Sequence, residues 1–205
     1  RRVNYEKVGS TDYKKYYSSG LWEMATHLQQ LGDSAGAKKY FVDYLSVLRR
    51  LHESIDTPES QRNLAYAYRN VGGFLKDSGD MEEARNNYSE MLGIFKATFE
   101  KVSSVQSETD YSQGCLSMAR YLQQLGDSAG AKKHFDDYLS VLRQLHESTN
   151  TPDSCHDLSD ACSNLGDFLK DNGDMEAAGK YYEEMLELRR VNYEKVGSTD
   201  YKKYY

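Results

Sequence analysis

Proline is nearly missing from this chain: its 205 residues contain only Pro58 and Pro152. Proline removes a backbone donor and clashes with the preceding helical turn, so its scarcity leaves long helices unobstructed. No apolar run approaches the ~20 residues that cross a bilayer, so no membrane-spanning helix is expected. Basic charge is not in surplus either, with 26 Lys and Arg against 32 Asp and Glu and a formal charge of −6. A nucleic-acid backbone or an anionic membrane needs a concentrated basic face. The short pairs Lys38-Lys39, Arg49-Arg50 and Lys132-Lys133 are interrupted by acids, so neither is expected as a partner. The three cysteines (Cys115, Cys155, Cys162) are an odd number and read as reduced core thiols, not a disulfide framework.

What the chain has in abundance is itself. Gly32, Gly79, Gly126 and Gly173 stand 47 residues apart, and an aspartate follows each. Five residues after each glycine stands an alanine: Ala37, Ala84, Ala131 and Ala178. An aromatic follows at nine (Phe41, Tyr88, Phe135, Tyr182) and a leucine at thirteen (Leu45, Leu92, Leu139, Leu186). Seven before each glycine stands a small residue: Ala25, Gly72, Ala119 and Gly166. Units one and three share LQQLGDSAGAKK and DYLSVLR, and units two and four share a related GFLKDSGDMEEA pattern. The chain is therefore four 47-residue repeats plus an overlap, because residues 1–17 recur unchanged as 189–205. Fixed periods of this length mark stacked supersecondary units.

Each unit reads as two antiparallel helices, the first over roughly 11–31 and 58–78, the second over 35–55 and 81–102. Tyr40, Tyr44, Val47, Leu48 and Leu51 fall at the three- and four-residue spacing of one helix face. Thr57-Pro58 and Thr151-Pro152 put a capping hydroxyl before a first-turn proline. Asp33, Ser34 and Asp80 are expected to cap the second helices, and the turn glycines to take the left-handed conformation just past the first. The small residues fit close helix crossings. One hairpin cannot bury both its faces, so the next must cover it, as in a solenoid. By this register the chain begins inside a second helix and ends inside a first helix.

The stretches NVGGFLKDSGDMEEARNNYSEML (Asn70–Leu92) and NLGDFLKDNGDMEAAGKYYEEML (Asn164–Leu186) resemble the tetratricopeptide repeat. The unit is longer than the usual 34 residues and looks like the long-repeat variants of kinesin light chain and bacterial arrays. The resemblance implies an all-α solenoid wound as a right-handed superhelix. First helices would line a concave groove that receives a peptide or partner domain. Carried onto this chain, the groove residues include Ser19, Trp22, Thr26, Gln29 and Gln30, then Tyr66, Arg69, Gly73, Lys76 and Asp77. The third unit gives Gln113, Leu116, Arg120, Gln123 and Gln124, and the fourth Asp160, Ser163, Asp167, Lys170 and Asp171. Chaperone-binding members clamp a carboxylate at positions that here hold Trp22, Thr26, Arg69 and Gly73, which does not match.

Little else in the sequence points to chemistry. LGDSAGAKKY is one residue short of a phosphate-loop motif and lacks its final hydroxyl. His52 and His146 are repeat equivalents of Phe99 and Tyr193, so aromatic packing explains them. Cys155, His156, Asp160 and Cys162 lie along one helix and lack the close ligand pairs of a structural zinc site. Asn87-Tyr88-Ser89 is a formal glycosylation sequon centred on an expected core aromatic. No cofactor, metal or catalytic residue is expected. The reading is a non-enzymatic protein-interaction scaffold, with Trp22, Tyr66, Arg69, Leu116 and Arg120 as leading contacts. The alternative is a building block of a longer array, whose partners are further copies of itself and which stacks end to end into a rod or filament.

Overall fold

The computed structural model describes residues 11–102 and 104–202, with side chains from 12 to 195. The opening half of the duplicated segment and the partial second helix expected there lie outside the described residues, as do 203–205. The described residues form eight α-helices and no strand. They are α1 Thr11–Gln30, α2 Ser34–Ile55, α3 Pro58–Asp77, α4 Met81–Lys101, α5 Val105–Gln124, α6 Ser128–Thr149, α7 Pro152–Asp171 and α8 Met175–Lys202. Contacts divide the chain between Thr98 and Phe99 into two compact units.

Local signals set the helix ends. Gly32, Gly79, Gly126 and Gly173 have φ of 79°, 87°, 78° and 87°, a region that glycine enters without steric cost. In each turn the amide of the following aspartate bonds back to the leucine carbonyl five residues earlier, as Asp33 N to Leu28 O at 2.9 Å, closing a Schellman-type end. Thr57 and Thr151 form reciprocal capping boxes with Ser60 and Ser154, each with proline in the first turn. Ser104 forms a third box with Ser107 at a junction without proline.

Three expectations are corrected. Asp33 caps α2 through the Gly36 amide at 2.9 Å, but Ser34 is already the first helical residue. The Asp80 carboxylate takes the Lys38 ammonium at 2.7 Å, so a charge pair between hairpins draws it away from a cap. The end of the chain, expected to fall inside a first helix, instead continues α8 to Lys202. Gly197-Ser198 brings no proline to end the helix, and extending a formed helix needs only one more bond per residue.

In the unit up to Thr98, α1 and α2 pack antiparallel and α3 lies against α2. Phe41 on α2 is 1% exposed and joins the layers, with ring centroids 5.5 Å from Trp22 on α1 and 4.7 Å from Phe74 on α3. Ala25 and Ala37, both fully buried, allow the hairpin to close. α3 and α4 meet where Gly72 faces Asn87 and Tyr88. The unit from Phe99 repeats the plan. Phe135 on α6 meets Phe168 on α7 at 5.0 Å, and Ala119 and Ala131 are fully buried. Arg143 on α6 ties to Glu184 on α8 at 2.7 Å.

The second-helix histidines serve the junctions. His52 Nδ1 lies 3.2 Å from Ser60 Oγ, and His146 Nδ1 lies 3.0 Å from Ser154 Oγ. Each imidazole thus touches the capping box that starts the next helix. Their register partner Phe99 stacks on Tyr111 at 5.1 Å, whereas Tyr193 is exposed.

Candidate partner-binding site

In the unit up to Thr98 a groove of about 460 Å³ opens between α1 and α3 over the floor of α2. Lys15, Ser18, Ser19 and Trp22 occupy one face of α1 at helical spacing. Asn63, Tyr66 and Asn70 answer from α3, and Tyr44 and Leu48 form the floor. Trp22 rests on Tyr44 at 5.7 Å, as well as on Phe41, so the indole is fixed by packing while still lining the groove. Tyr66 is held edge-on by Phe95 at 5.3 Å, with the guanidinium groups of Arg62 and Arg69 each 5.4 Å from its ring. Such cations are attracted to the electron-rich ring face. Burial pushes the Tyr44 phenol up, so it stays a proton donor at neutral pH. Lys15 bonds Glu59 at 2.9 Å across one end. This exposed pair positions side chains more than it stabilises the fold.

The groove therefore offers an aromatic wall, two amides and an ammonium. Amides pair with peptide backbone, aromatic faces take apolar side chains, and cations take carboxylates. Trp22 and Tyr66, named from the sequence, stand on its two sides. Arg69 acts on it through the Tyr66 ring. Thr26, Gln29 and Lys76 lie on α1 and α3 away from its lining, and Lys76 sits 3.5 Å from Asp77. Asn63 and Asn70 were missed, although they flank Tyr66 at three and four residues, the spacing of one helix face.

The remaining candidates lie in the unit from Phe99. Leu116 is 8% exposed and belongs to the core, so it offers no surface to a partner. It occupies the register of Trp22, but an aliphatic side chain there sinks between helices. Arg120 is exposed and donates to Asn164 Oδ1 at 2.9 Å. Gln123 is half-buried. Lys170 lies 3.6 Å from Asp167, which also accepts from the Tyr182 hydroxyl at 2.8 Å.

The other motifs resolve into structure. In the phosphate-loop-like turn the Gly36 amide is occupied by the Asp33 carboxylate, and Gly130 by Asp127 in the same way, so the amides are turned to an acid. Asn87 of the sequon donates to Glu83 O at 2.8 Å, and Tyr88 is buried. Cys155 donates to Leu188 O at 3.3 Å, whereas His156 turns outward to Asp160 at 3.6 Å.

The Cys162 thiol is fully buried and is pushed up to about 12, by desolvation first and by neighbouring Glu184 second. Burial likewise pushes the Tyr138 phenol up to about 12. Both groups stay protonated in the folded state where the unfolded chain has begun to lose those protons. Their contribution is complete below the ordinary thiol pKa of ~8.5 and drains away as pH rises from there toward 12. The urea midpoint is expected to fall between about pH 8.5 and 11, and less so in Cys162→Ala. A midpoint flat across that range contradicts the assignment.

Comparison with known proteins agrees with this architecture. Residues 159–192 match the family model described as tetratricopeptide repeat. The matched stretch, from α7 into α8, is thus similar to one tetratricopeptide repeat. No curated protein matches it in sequence. Among solved structures it is similar to BtubC (BKLC) from P. vanneervenii, with a TM-score of 0.64 and 18% identity over 87% of this chain. That likeness shows the fold, an all-α solenoid of helix pairs, and the chain spans 65% of that protein's length. It is also similar to the MamA protein, with a TM-score of 0.44 and 14% identity over 84% of this chain and 92% of the other. Tetratricopeptide repeats generally form non-enzymatic interaction scaffolds that bind proteins or peptides. Among the described residues no helix is long and apolar enough to cross a membrane.

Proposed function

We propose that the chain is a scaffold whose α1–α3 groove binds a peptide segment of another protein. The observation that carries this reading is the convergence of Trp22 and Tyr66 across a groove bearing Lys15, Asn63 and Asn70. The ligand this chemistry fits is a peptide with one large apolar side chain beside an acidic residue. The apolar group would sit between the two aromatics, with the carboxylate toward Lys15. Ser19→Trp fills the groove from an exposed position and leaves the Phe41 packing intact. In a peptide-library selection followed by titration, this variant is expected to lose at least about tenfold in affinity, or ~1.4 kcal/mol, with unchanged helical circular dichroism. Equal affinity in the variant sinks the groove reading.

A second reading, a unit of a longer stacked array, draws support from one register position. Leu45 and Leu139 are 7% and 3% exposed, whereas their equivalent Leu186 is 66% exposed. The surface that a following helix covers twice in this chain is bare on α8. Light scattering is expected to show mass rising with concentration, and Leu186→Lys to suppress the rise. A concentration-independent monomer removes self-stacking and leaves the groove.

A further inference from the structure

The hairpin of α5 and α6 brings together three residues that the sequence keeps nineteen and three positions apart. Cys115 on α5, and His134 and Asp137 on α6, each place one ligand atom within 4.8 Å of the other two. Among the described residues this is the group of such side chains close enough to share an ion. Cys115 is wholly buried. His134 Nδ1 is buried without a hydrogen-bond partner, 4.0 Å from Asp137 Oδ2. A buried polar atom left unsatisfied is costly and calls for an explanation. We propose that Cys115, His134 and Asp137 bind one divalent ion of the zinc class, with a water as fourth ligand.

The donor set selects the ion. A thiolate, an imidazole nitrogen and a carboxylate oxygen are what zinc takes, at about 2.0–2.3 Å, whereas calcium and magnesium want oxygen alone. Tetrahedral bonds of that length hold ligand atoms about 3.3–3.8 Å apart, so the cluster must tighten by an ångström or so. Asp137 is half-exposed and can swing to do this, and the same side gives the ion its way in. Binding forms one metal–sulfur bond and releases the thiol proton to water, and no electron moves. Burial holds the His134 imidazole below its usual range, which keeps it the neutral ligand form. Tyr111 stands beside Cys115 and Asp137, its phenol pushed up mainly by burial, and supplies an outer hydrogen bond to the sulfur. The same three residue types also make a nucleophilic triad, but no substrate reaches a sulfur with no exposed surface.

The repeat supplies an independent argument. Residues 28–57 and 122–151 differ at only five of thirty positions: Tyr40/His134, Val42/Asp136, Arg50/Gln144, Ile55/Thr149 and Asp56/Asn150. One of the five is the imidazole. Its α5 partner Cys115 replaces Leu21. The fourth repeat carries Cys162, Tyr181 and Glu184, so only the third combines all three ligand types.

The first repeat also supplies the control residues. Cys115→Leu and His134→Tyr restore side chains this fold already accommodates at Leu21 and Tyr40. Cobalt(II) is the probe, titrated into the intact chain and then displaced by zinc. The parent is expected to bind one ion per chain with a thiolate-to-cobalt charge-transfer band and tetrahedral visible bands. Each variant should lose the band and at least tenfold in affinity, and Asp137→Asn should bind more weakly with the band retained. If Cys115→Leu fails to fold, His134→Tyr, which leaves every thiol in place, decides. No thiolate band in the parent, or a band that survives in the folded variants through Cys155 or Cys162, overturns the assignment.

Discussion

Phe41→Ala is expected to cost the unit up to Thr98 about 3–5 kcal/mol, the largest loss of any single truncation here. The ring is 1% exposed and spans three helices, touching Trp22 on α1 and Phe74 on α3 from its seat on α2. Its removal deletes two aromatic pairs, each worth about 0.5–1.5 kcal/mol beyond area, and leaves a void that a hairpin stack cannot collapse to fill. Trp22 is the single tryptophan, so its fluorescence reports on this unit alone. The urea midpoint by fluorescence should drop well below that of the parent. The circular dichroism trace should drop less, because it also reports the unit from Phe99, where Phe135 packs on Phe168. A fluorescence midpoint within about 0.5 kcal/mol of the parent would falsify the view that Phe41 joins the layers.

At Gly72 two substitutions are expected to diverge. A β-carbon there comes 3.3 Å from Asn87 Cβ and 3.5 Å from the Ala84 carbonyl oxygen, tight but close to ordinary contact. Ala25 and Ala119 already carry that carbon at the same register. Gly72→Ala should therefore stay within about 1 kcal/mol of the parent, its helix-propensity gain offset by the squeeze. Gly72→Leu drives three further carbons into α4 and should lose about 3 kcal/mol. Gly166→Ala is less tolerant than Gly72→Ala, because its β-carbon meets the Tyr182 ring at 2.8 Å. The ring would have to turn and give up its bond to Asp167. Thermal melts of the three variants check the order, and a stable Gly72→Leu contradicts close crossing as the reason for the small residues.

These crossings were legible in the sequence because spacing alone carries them. A glycine that must be left-handed, followed at fixed distance by an alanine that must be small, states a helix, a turn and a contact together. The threonine–proline junctions were legible for the same reason, since both residues act on their own backbone. Ser104 was not, because no proline follows it to mark the first turn. The left-handed ends at Asp56 and Asn150, with φ of 30° and 48°, carry no glycine to mark them. Depth was the harder quantity. Leu116 and Trp22 share a register, yet the aliphatic one is buried and the indole lines a groove. Side-chain length decides that, and periodicity does not measure length. The cluster of Cys115, His134 and Asp137 needed the axial register of two helices, which no single-helix pattern contains.

The near identity of residues 28–57 and 122–151 has a kinetic cost. Two hairpins with the same turn, the same buried alanine and the same phenylalanine offer each other's partners an almost equal fit. A chain refolding at high concentration can therefore lend α2 to the α5 of a neighbour and receive its α6 in return. Such exchanged dimers keep the helices and most of the hairpin packing, so helix content would not betray them. Differences such as Trp22 against Leu116, Leu21 against Cys115 and Tyr40 against His134 distinguish the right docking from the wrong one. Slow dilution before assembly is the condition under which the correct choice is made within one chain.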